Sequence, residues 1–233
     1  MTTGASRSSN AVAAGLGEEF TIRQCGETGD PLFCDLIDRG PNGNLWVGTA
    51  VVQSTDVNIG FFEVTGIDIT STYAMEVGDM GSLDFQFRGT VLEKFDEEPV
   101  PGGGINECAG VYGGDCGRPR PEWKHTFNTV WTTPWDLQLG ATWRMVGEID
   151  QYLADTDEFQ AEAKHYIDLS ASYYVDWFGA STELNVGLVN AFDNDPPVNG
   201  FFNNIAVFSN GNTVPGTWDA LGRYFFVGFN TSL

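Results

Sequence analysis

Leu221–Leu233 reads LGRYFFVGFNTSL, with Phe225, Val227, Phe229, Thr231 and Leu233 on one side of an extended chain. Tyr224, Phe226, Gly228, Asn230 and Ser232 fall on the other side. A side-chain period of two marks a β-strand. The stripe of Phe225, Val227, Phe229 and Leu233 suits lipid, and the opposite mixture of aromatic and small polar residues suits a wet lumen. One alternating strand describes a half-buried strand of a soluble sheet equally well, so repetition has to decide.

The pattern does repeat. LDFQFRGTV from Leu83 sets Leu83, Phe85, Phe87 and Val91 against Asp84, Gln86, Arg88 and Thr90. WDLQLGATWRM from Trp135 sets Leu137, Leu139, Ala141, Trp143 and Met145 against Asp136, Gln138, Gly140, Thr142 and Arg144. Tyr166–Trp177 alternates over its whole length, and Gly66–Val77, Trp123–Trp131 and Glu183–Val189 complete an expected set of seven strands. Several of these runs reach the roughly ten residues that cross a tilted bilayer. Strands of soluble sandwiches are usually nearer five or six.

The connections alternate in length as well. Short turns are expected at Gly78–Gly81, Thr133–Pro134 and Phe178–Ser181, and long loops at Phe95–Glu122, Gly147–His165 and Asn190–Ala220. Short turns on one side and long loops on the other are the habit of an up-and-down outer-membrane barrel. Trp131, Trp135 and Trp177 sit beside the short turns, where an aromatic girdle at the inner interface belongs. The expected fold is therefore all-β: an antiparallel, up-and-down transmembrane sheet of about seven strands, part of an outer-membrane β-barrel.

Composition narrows the partners. Hydrophobic residues make up 42% of the chain, yet no run approaches the roughly eighteen apolar residues of a helical span. With 32 acidic against 11 basic residues the net charge is −21, which disfavours nucleic acid and anionic membrane surfaces. The acids gather at Glu93, Asp96, Glu97 and Glu98, at Asp155, Asp157 and Glu158, and at Asp193 and Asp195. They read as solvated loop charge, with attraction of a cationic or metal-bearing ligand as the sharper alternative. The cysteines form two close pairs, Cys25 with Cys34 and Cys108 with Cys116, in Gly-, Pro- and Asp-rich stretches. That spacing favours two local disulfides over zinc, whose ligands usually sit two to four residues apart with histidine nearby.

Nothing in the chain points to catalysis. The two histidines, His125 and His165, are isolated, and neither a nucleophile elbow nor an H-E-x-x-H helix occurs. Gly102–Gly104 lies in a Pro-rich loop, and the adjacent Asp96, Glu97 and Glu98 have no fixed acid-base separation. The reading is a non-enzyme without a metal site or cofactor. Trp46, Tyr112, Phe159, Phe201, Phe202 and Trp218 are candidates for an outer ligand vestibule, or else for packing between loops. Arg88, Gln138 and Arg144 are expected to face the lumen, lining a solute path or pairing with a plug.

Four stretches together resemble the C-terminal part of a TonB-dependent outer-membrane receptor. They are VTGIDITSTYAMEVGDMGSLDFQFRGT (Val64–Thr90), PEWKHTFNTVWTTPWDLQLGATWRMVG (Pro121–Gly147), LNVGLVNAFDNDPP (Leu184–Pro197) and LGRYFFVGF (Leu221–Phe229). Most specific are the aromatic and glycine positions of the last strand and the N-x-F-D-x-x-P-P stretch from Asn190; Leu233 departs from the aromatic that commonly ends these receptors. The resemblance implies a Gram-negative outer membrane and active uptake of an iron complex, cobalamin or a carbohydrate. It also implies a barrel of about 22 strands closed by an N-terminal plug. Its implied partners are outer-membrane lipid, the remaining barrel and plug, a small-molecule nutrient, and TonB through an N-terminal box.

Residues 1–60 are then expected to be an extracellular loop region and barrel entry, and 61–233 the C-terminal barrel strands. Neither plug nor TonB box is recognisable, and Met1–Gly17 has no apolar signal core. The expectation is a receptor fragment, inactive alone, because an open sheet in lipid leaves edge N–H and C=O groups unpaired. The alternative from a different class is a soluble, secreted β-rich binding module stabilised by two disulfides.

Overall fold

Seven long strands account for the alternation: β1 (Val57–Glu76), β2 (Ser82–Glu98), β3 (Trp123–Thr132), β4 (Leu137–Val146), β5 (Lys164–Trp177), β6 (Ala180–Val189) and β7 (Tyr224–Ser232). The computed structural model describes residues 11–13, 17–45, 48, 50–53, 57–98, 104–113, 116–151, 160–177, 179–198 and 212–232. Each strand neighbours the next in sequence, and every pair from β2 to β7 is antiparallel. The protein is thus predominantly an antiparallel β-sheet in meander order.

The tight connections are built by backbone chemistry. Between β1 and β2, Val77 N–H donates to the Gly81 carbonyl at 2.8 Å. Gly81 has φ +94°, and a Cβ there would collide with the Thr132 carbonyl oxygen, so glycine is required. Between β3 and β4, both the backbone N–H and the hydroxyl of Thr133 donate to Leu137 O, at 2.9 and 2.8 Å, and Asp136 adopts φ +55°.

Register then sorts the side chains. Phe87 pairs with Phe127, Phe127 with Trp143, and Trp143 with Ile167; Leu169 pairs with Leu188, and Leu188 with Phe225. Across the registered pairs from β2 to β7 this face carries no Asp, Glu, Lys or Arg. Asp84, Arg88, Lys124, Arg144, Lys164, Asp168, Asp176 and Glu183 all lie on the opposite face. Aromatic rings stack along the apolar face, with Tyr73 to Phe85 at 6.3 Å and Phe85 to Phe127 at 6.1 Å between centroids.

No second layer of the described residues buries that face. Phe225, Val227 and Phe229 are 79%, 73% and 75% exposed, and Leu169, Leu184 and Val186 are exposed as well. The hydrophobic core lies instead among the long loops, where Tyr112, Ile149, Ala161 and Trp218 pack together with Val146 and Val214 against them. A small sheet holds this loop core: Ile149–Gln151 pairs antiparallel with Gln160–Ala161 and parallel with Val111–Tyr112. The Cys108–Cys116 disulfide closes the neighbouring loop, in line with the spacing of that cysteine pair.

The chain divides into two compact units, residues 1–7, 64–95 and 107–233 in one and 8–63 with 96–106 in the other. In the latter, residues expected to form loop contain α1 (Glu18–Thr28) and α2 (Pro31–Cys34). Gly29 ends α1 in the left-handed region at φ +66°, and Asp30 caps α2 by accepting Leu32 N–H at 2.9 Å. The Cys25–Cys34 disulfide ties the helices, and Phe20 meets the buried Phe33 edge to face at 5.9 Å.

The largest departures from the expected strand boundaries are two. β1 begins at Val57 instead of Gly66, and β2 continues to Glu98, so Glu93, Asp96, Glu97 and Glu98 stand on a strand and not in a loop. A run of acids hides the strand signal, because its carboxylates break the apolar period while the backbone keeps its extended path.

Candidate functional site

The long connections and the polar face meet at one end of the sheet. Register sets two cross-strand rows there: Thr90, Lys124, Val146 and Lys164, then Arg88, Thr126, Arg144 and Tyr166. A cavity of about 590 Å³ opens over them, lined among others by Asp68, Arg88, Lys124, Thr126, Arg144 and Thr217. Asp68 accepts the Thr90 hydroxyl at 2.7 Å.

Arg144 is the fixed point of the site. Its Nε donates to Asp168 Oδ2 at 2.6 Å, and its Nη2 donates to Asp168 Oδ1 and to Asp219 Oδ2, each at 2.9 Å. The guanidinium also stands 5.1 Å from the centroid of the buried Tyr166 ring. A planar fork held by two carboxylates and an aromatic face has little rotational freedom left. Nη1 makes no hydrogen bond among the described residues, although a guanidinium has five N–H donors in all.

The N-x-F-D-x-x-P-P stretch builds the adjoining latch. Asn190 is fully buried at φ +50°; its amide donates to Asn194 O at 3.0 Å and accepts Asn194 N–H at 2.9 Å. Asn190 N–H donates to Asp168 Oδ1 at 2.9 Å, and Asn194 Nδ2 donates to His165 O at 2.6 Å. Asp193, at φ +58°, accepts Arg223 N–H at 2.8 Å just before β7. Asparagine and aspartate tolerate the left-handed region that such a turn demands. The motif therefore joins the loop after β6 to β5 and to the entry of β7.

Of the lumen-facing candidates, Arg88, Gln138 and Arg144 all fall on the polar face. Arg88 and Arg144 share a row through Thr126, whereas Gln138 sits toward the short turns and donates to the Thr132 hydroxyl at 3.3 Å. Among the vestibule candidates, Tyr112 and Trp218 come together in the loop core, 0% and 2% exposed. Trp46, Phe159, Phe201 and Phe202 lie outside the described residues, as do Asp155, Asp157 and Glu158.

The histidines belong to the apolar face. Trp123 Nε1 donates to His125 Nδ1 at 2.9 Å, and Trp143 Nε1 donates to His165 Nδ1 at 3.2 Å. His125 and Trp143 meet edge to face at 4.5 Å, which makes one ladder of indole and imidazole rings near the long loops. Among the described residues no three His, Cys, Asp or Glu side chains gather as a metal-binding set.

Sequence reasoning missed Asp168 and Asp219 as the partners of Arg144. Asp168 had a signal, being the acidic residue of β5 diagonal to Arg144, but Asp219 is 75 residues away in sequence. Set beside known proteins, the chain matches no family model and no curated sequence.

Proposed function

We propose that β1–β7 form a section of an outer-membrane β-barrel wall, the C-terminal section of a TonB-dependent receptor that takes up a small nutrient in a Gram-negative cell. The iron-complex, cobalamin and carbohydrate classes stay together in this reading. The carrying observation is the division of charge: within the registered pairs of β2–β7 every charged side chain lies on one face, and the other face is apolar and uncovered. Lipid is the solvent that asks for this, since a charge on the lipid side costs about 2–4 kcal/mol at the bilayer midplane.

The height of the apolar band agrees. Trp123 and Trp131 mark its two ends on β3, and eight residues at about 3.4 Å each span about 27 Å along the strand. At a tilt near 40° that is about 20 Å across the membrane, and the indole rings extend it toward the roughly 25 Å of an outer-membrane barrel. Trp131 Nε1 donates to Met80 O at 2.8 Å, and Trp135 is exposed in the turn below. An indole with one polar edge suits such an interface.

In this reading the polar face lines the lumen, the loop core caps the outer side, and the receptor's plug and TonB-contacting segment supply gating and energy. The wall itself performs no chemistry. Membranes carrying the chain test it: the protein is expected to stay in the pellet through an alkaline carbonate wash and to leave it only with detergent.

The soluble secreted module keeps one observation in its favour, the two disulfides that close loops of an exported chain. It leaves Phe225, Val227 and Phe229 side by side with the exposed Leu184 and Val186 in water, a contiguous apolar surface of the kind that marks an interaction with a membrane or partner. A monodisperse chain in buffer without detergent would select it.

A further inference from the structure

The polar face is charged unevenly, and the unevenness falls on the cavity. Toward the short turns it carries Asp84, Asp176 and Glu183, whereas the two rows at the loop end carry Arg88, Lys124, Arg144 and Lys164. The charged groups lining the cavity are Arg88, Lys124, Arg144 and Asp68; Arg144 is already paired with Asp168 and Asp219, which leaves Arg88 and Lys124 as the cations there without an ion-pair partner among the described residues. The chain as a whole carries −21. Cations concentrated against that background have a local cause.

Arg88 and Lys124 have no ion-pair partner among the described residues. Arg88 pairs with Thr126 and Lys124 with Thr90, which makes the two cations diagonal neighbours across β2 and β3. Side chains so related have Cβ atoms about 7–8 Å apart, within reach of one another for long residues. Two like charges at that spacing repel, most at low ionic strength, and an anion between them reverses the sign. Across Thr126 stands Arg144, already held by Asp168 and Asp219 and with Nη1 left over. Asp68 accepts the hydroxyl of Thr90, the β2 residue paired with Lys124.

We infer that this cavity binds a small polyanion bearing two or more carboxylate or phosphate groups, paired by Arg88 and Lys124 and received by Nη1 of Arg144. A volume of about 590 Å³ suits a small molecule. Arg144 is the preorganised donor and the two unpaired cations supply the attraction. The inference rests on the reading of the polar face as the wet, solute-facing side, and it names the class of solute.

The test titrates the full chain in detergent micelles at low ionic strength with citrate and, separately, with inorganic phosphate, by isothermal calorimetry. Saturable binding of one citrate per chain is expected. Binding should weaken about tenfold or more in R88Q/K124Q, the loss of at least one charge-assisted contact, and stay within about threefold in R88K/K124R. R23Q/R118Q removes the same charge elsewhere and should leave it unchanged. Stronger binding of inorganic phosphate than of citrate would overturn the polyanion and leave a site for a single phosphate group. Circular dichroism checks each fold; if the double variant loses its β signal, R88Q and K124Q are tested singly, each expected to weaken binding at least about threefold. Failure of both anions to saturate overturns the inference and leaves the cations for an acidic protein segment. Equal weakening in R88Q/K124Q and R23Q/R118Q overturns it as general charge attraction. Membrane retention is read separately: a chain that binds citrate but needs no detergent keeps the anion site and loses the barrel, and one that inserts without binding does the reverse.

Discussion

Arg144 of β4 and Asp168 of β5 meet through two parallel hydrogen bonds, Nε to Oδ2 at 2.6 Å and Nη2 to Oδ1 at 2.9 Å. The same carboxylate accepts Asn190 N–H, and the same guanidinium reaches Asp219. One ion pair thus connects two strands to both ends of the loop between β6 and β7. Because both side chains are partly exposed, the pair is worth less than a buried one. Asp168→Asn is expected to lower the unfolding free energy by about 1–2 kcal/mol. Combined with Arg144→Gln it should be non-additive, with a coupling near 1 kcal/mol in a double-mutant cycle read from urea unfolding in micelles.

Asn190 carries a second, independent cost. It is buried at φ +50° and makes two side-chain hydrogen bonds to the backbone of Asn194. Asn190→Ala loses both bonds and the tolerance for a left-handed backbone, an expected loss of about 2–3 kcal/mol. Asn190→Gly restores the backbone freedom alone and should fall between the two. The order of urea midpoints, Asn above Gly above Ala, checks this; equal midpoints for Gly and Ala would remove the backbone share.

Reduction of Cys108–Cys116 should loosen the loop core and leave the sheet. The bridge spans a sequence separation of 8, and closing so short a loop constrains the unfolded chain by about 2–3 kcal/mol in the entropic account. Tyr112 lies within the loop that this bridge closes and packs in the core with Ile149 and Trp218. In a C25S/C34S background, which leaves only this bridge, treatment with a phosphine reductant is expected to speed protease cleavage in the loops while the far-ultraviolet β signal persists.

At the opposite end, Gly81→Ala should disrupt the β1–β2 turn. Its positive φ is unfavourable for alanine, and the added Cβ meets the Thr132 carbonyl, a rigid backbone atom. A loss of about 2 kcal/mol or more is expected. Gly29→Ala, also at positive φ but in open space, should cost only the conformational share of about 1 kcal/mol. The difference between the two midpoints measures the collision together with the stricter backbone of Gly81, at φ +94° and ψ −146° against φ +66° and ψ 14° for Gly29.

What could be read from the chain was the middle of each long strand, where one face is dry and the period of two survives. Phe225, Val227 and Phe229 announce β7 because no charge interrupts them. The ends were harder for a physical reason: beyond Val91 the strand carries Glu93, Asp96, Glu97 and Glu98, and the loss of an apolar face looks the same as the end of a strand. α1 was missed because Glu18–Thr28 has no continuous apolar stripe and its start, Gly17, offers no side-chain cap, whereas Asp30-Pro31 before α2 is a helix signal in plain sight. For the candidate site, the alternation put Arg88 and Arg144 on one face. Their assembly into one row and the clamp of Asp168 and Asp219 depend on register and on a loop closing over many residues, which no local pattern records.

The central claim is that one face of this sheet meets lipid and the other meets water. Single cysteines placed in turn at Tyr224, Phe225, Phe226, Val227, Phe229 and Asn230, spin-labelled in membranes, would measure it directly through collision with oxygen from the lipid and with a water-soluble nickel chelate. The labels at 225, 227 and 229 are expected to favour oxygen and those at 224, 226 and 230 the chelate, an alternation with period two. Chelate access at all six positions, or a profile without that period, would contradict it.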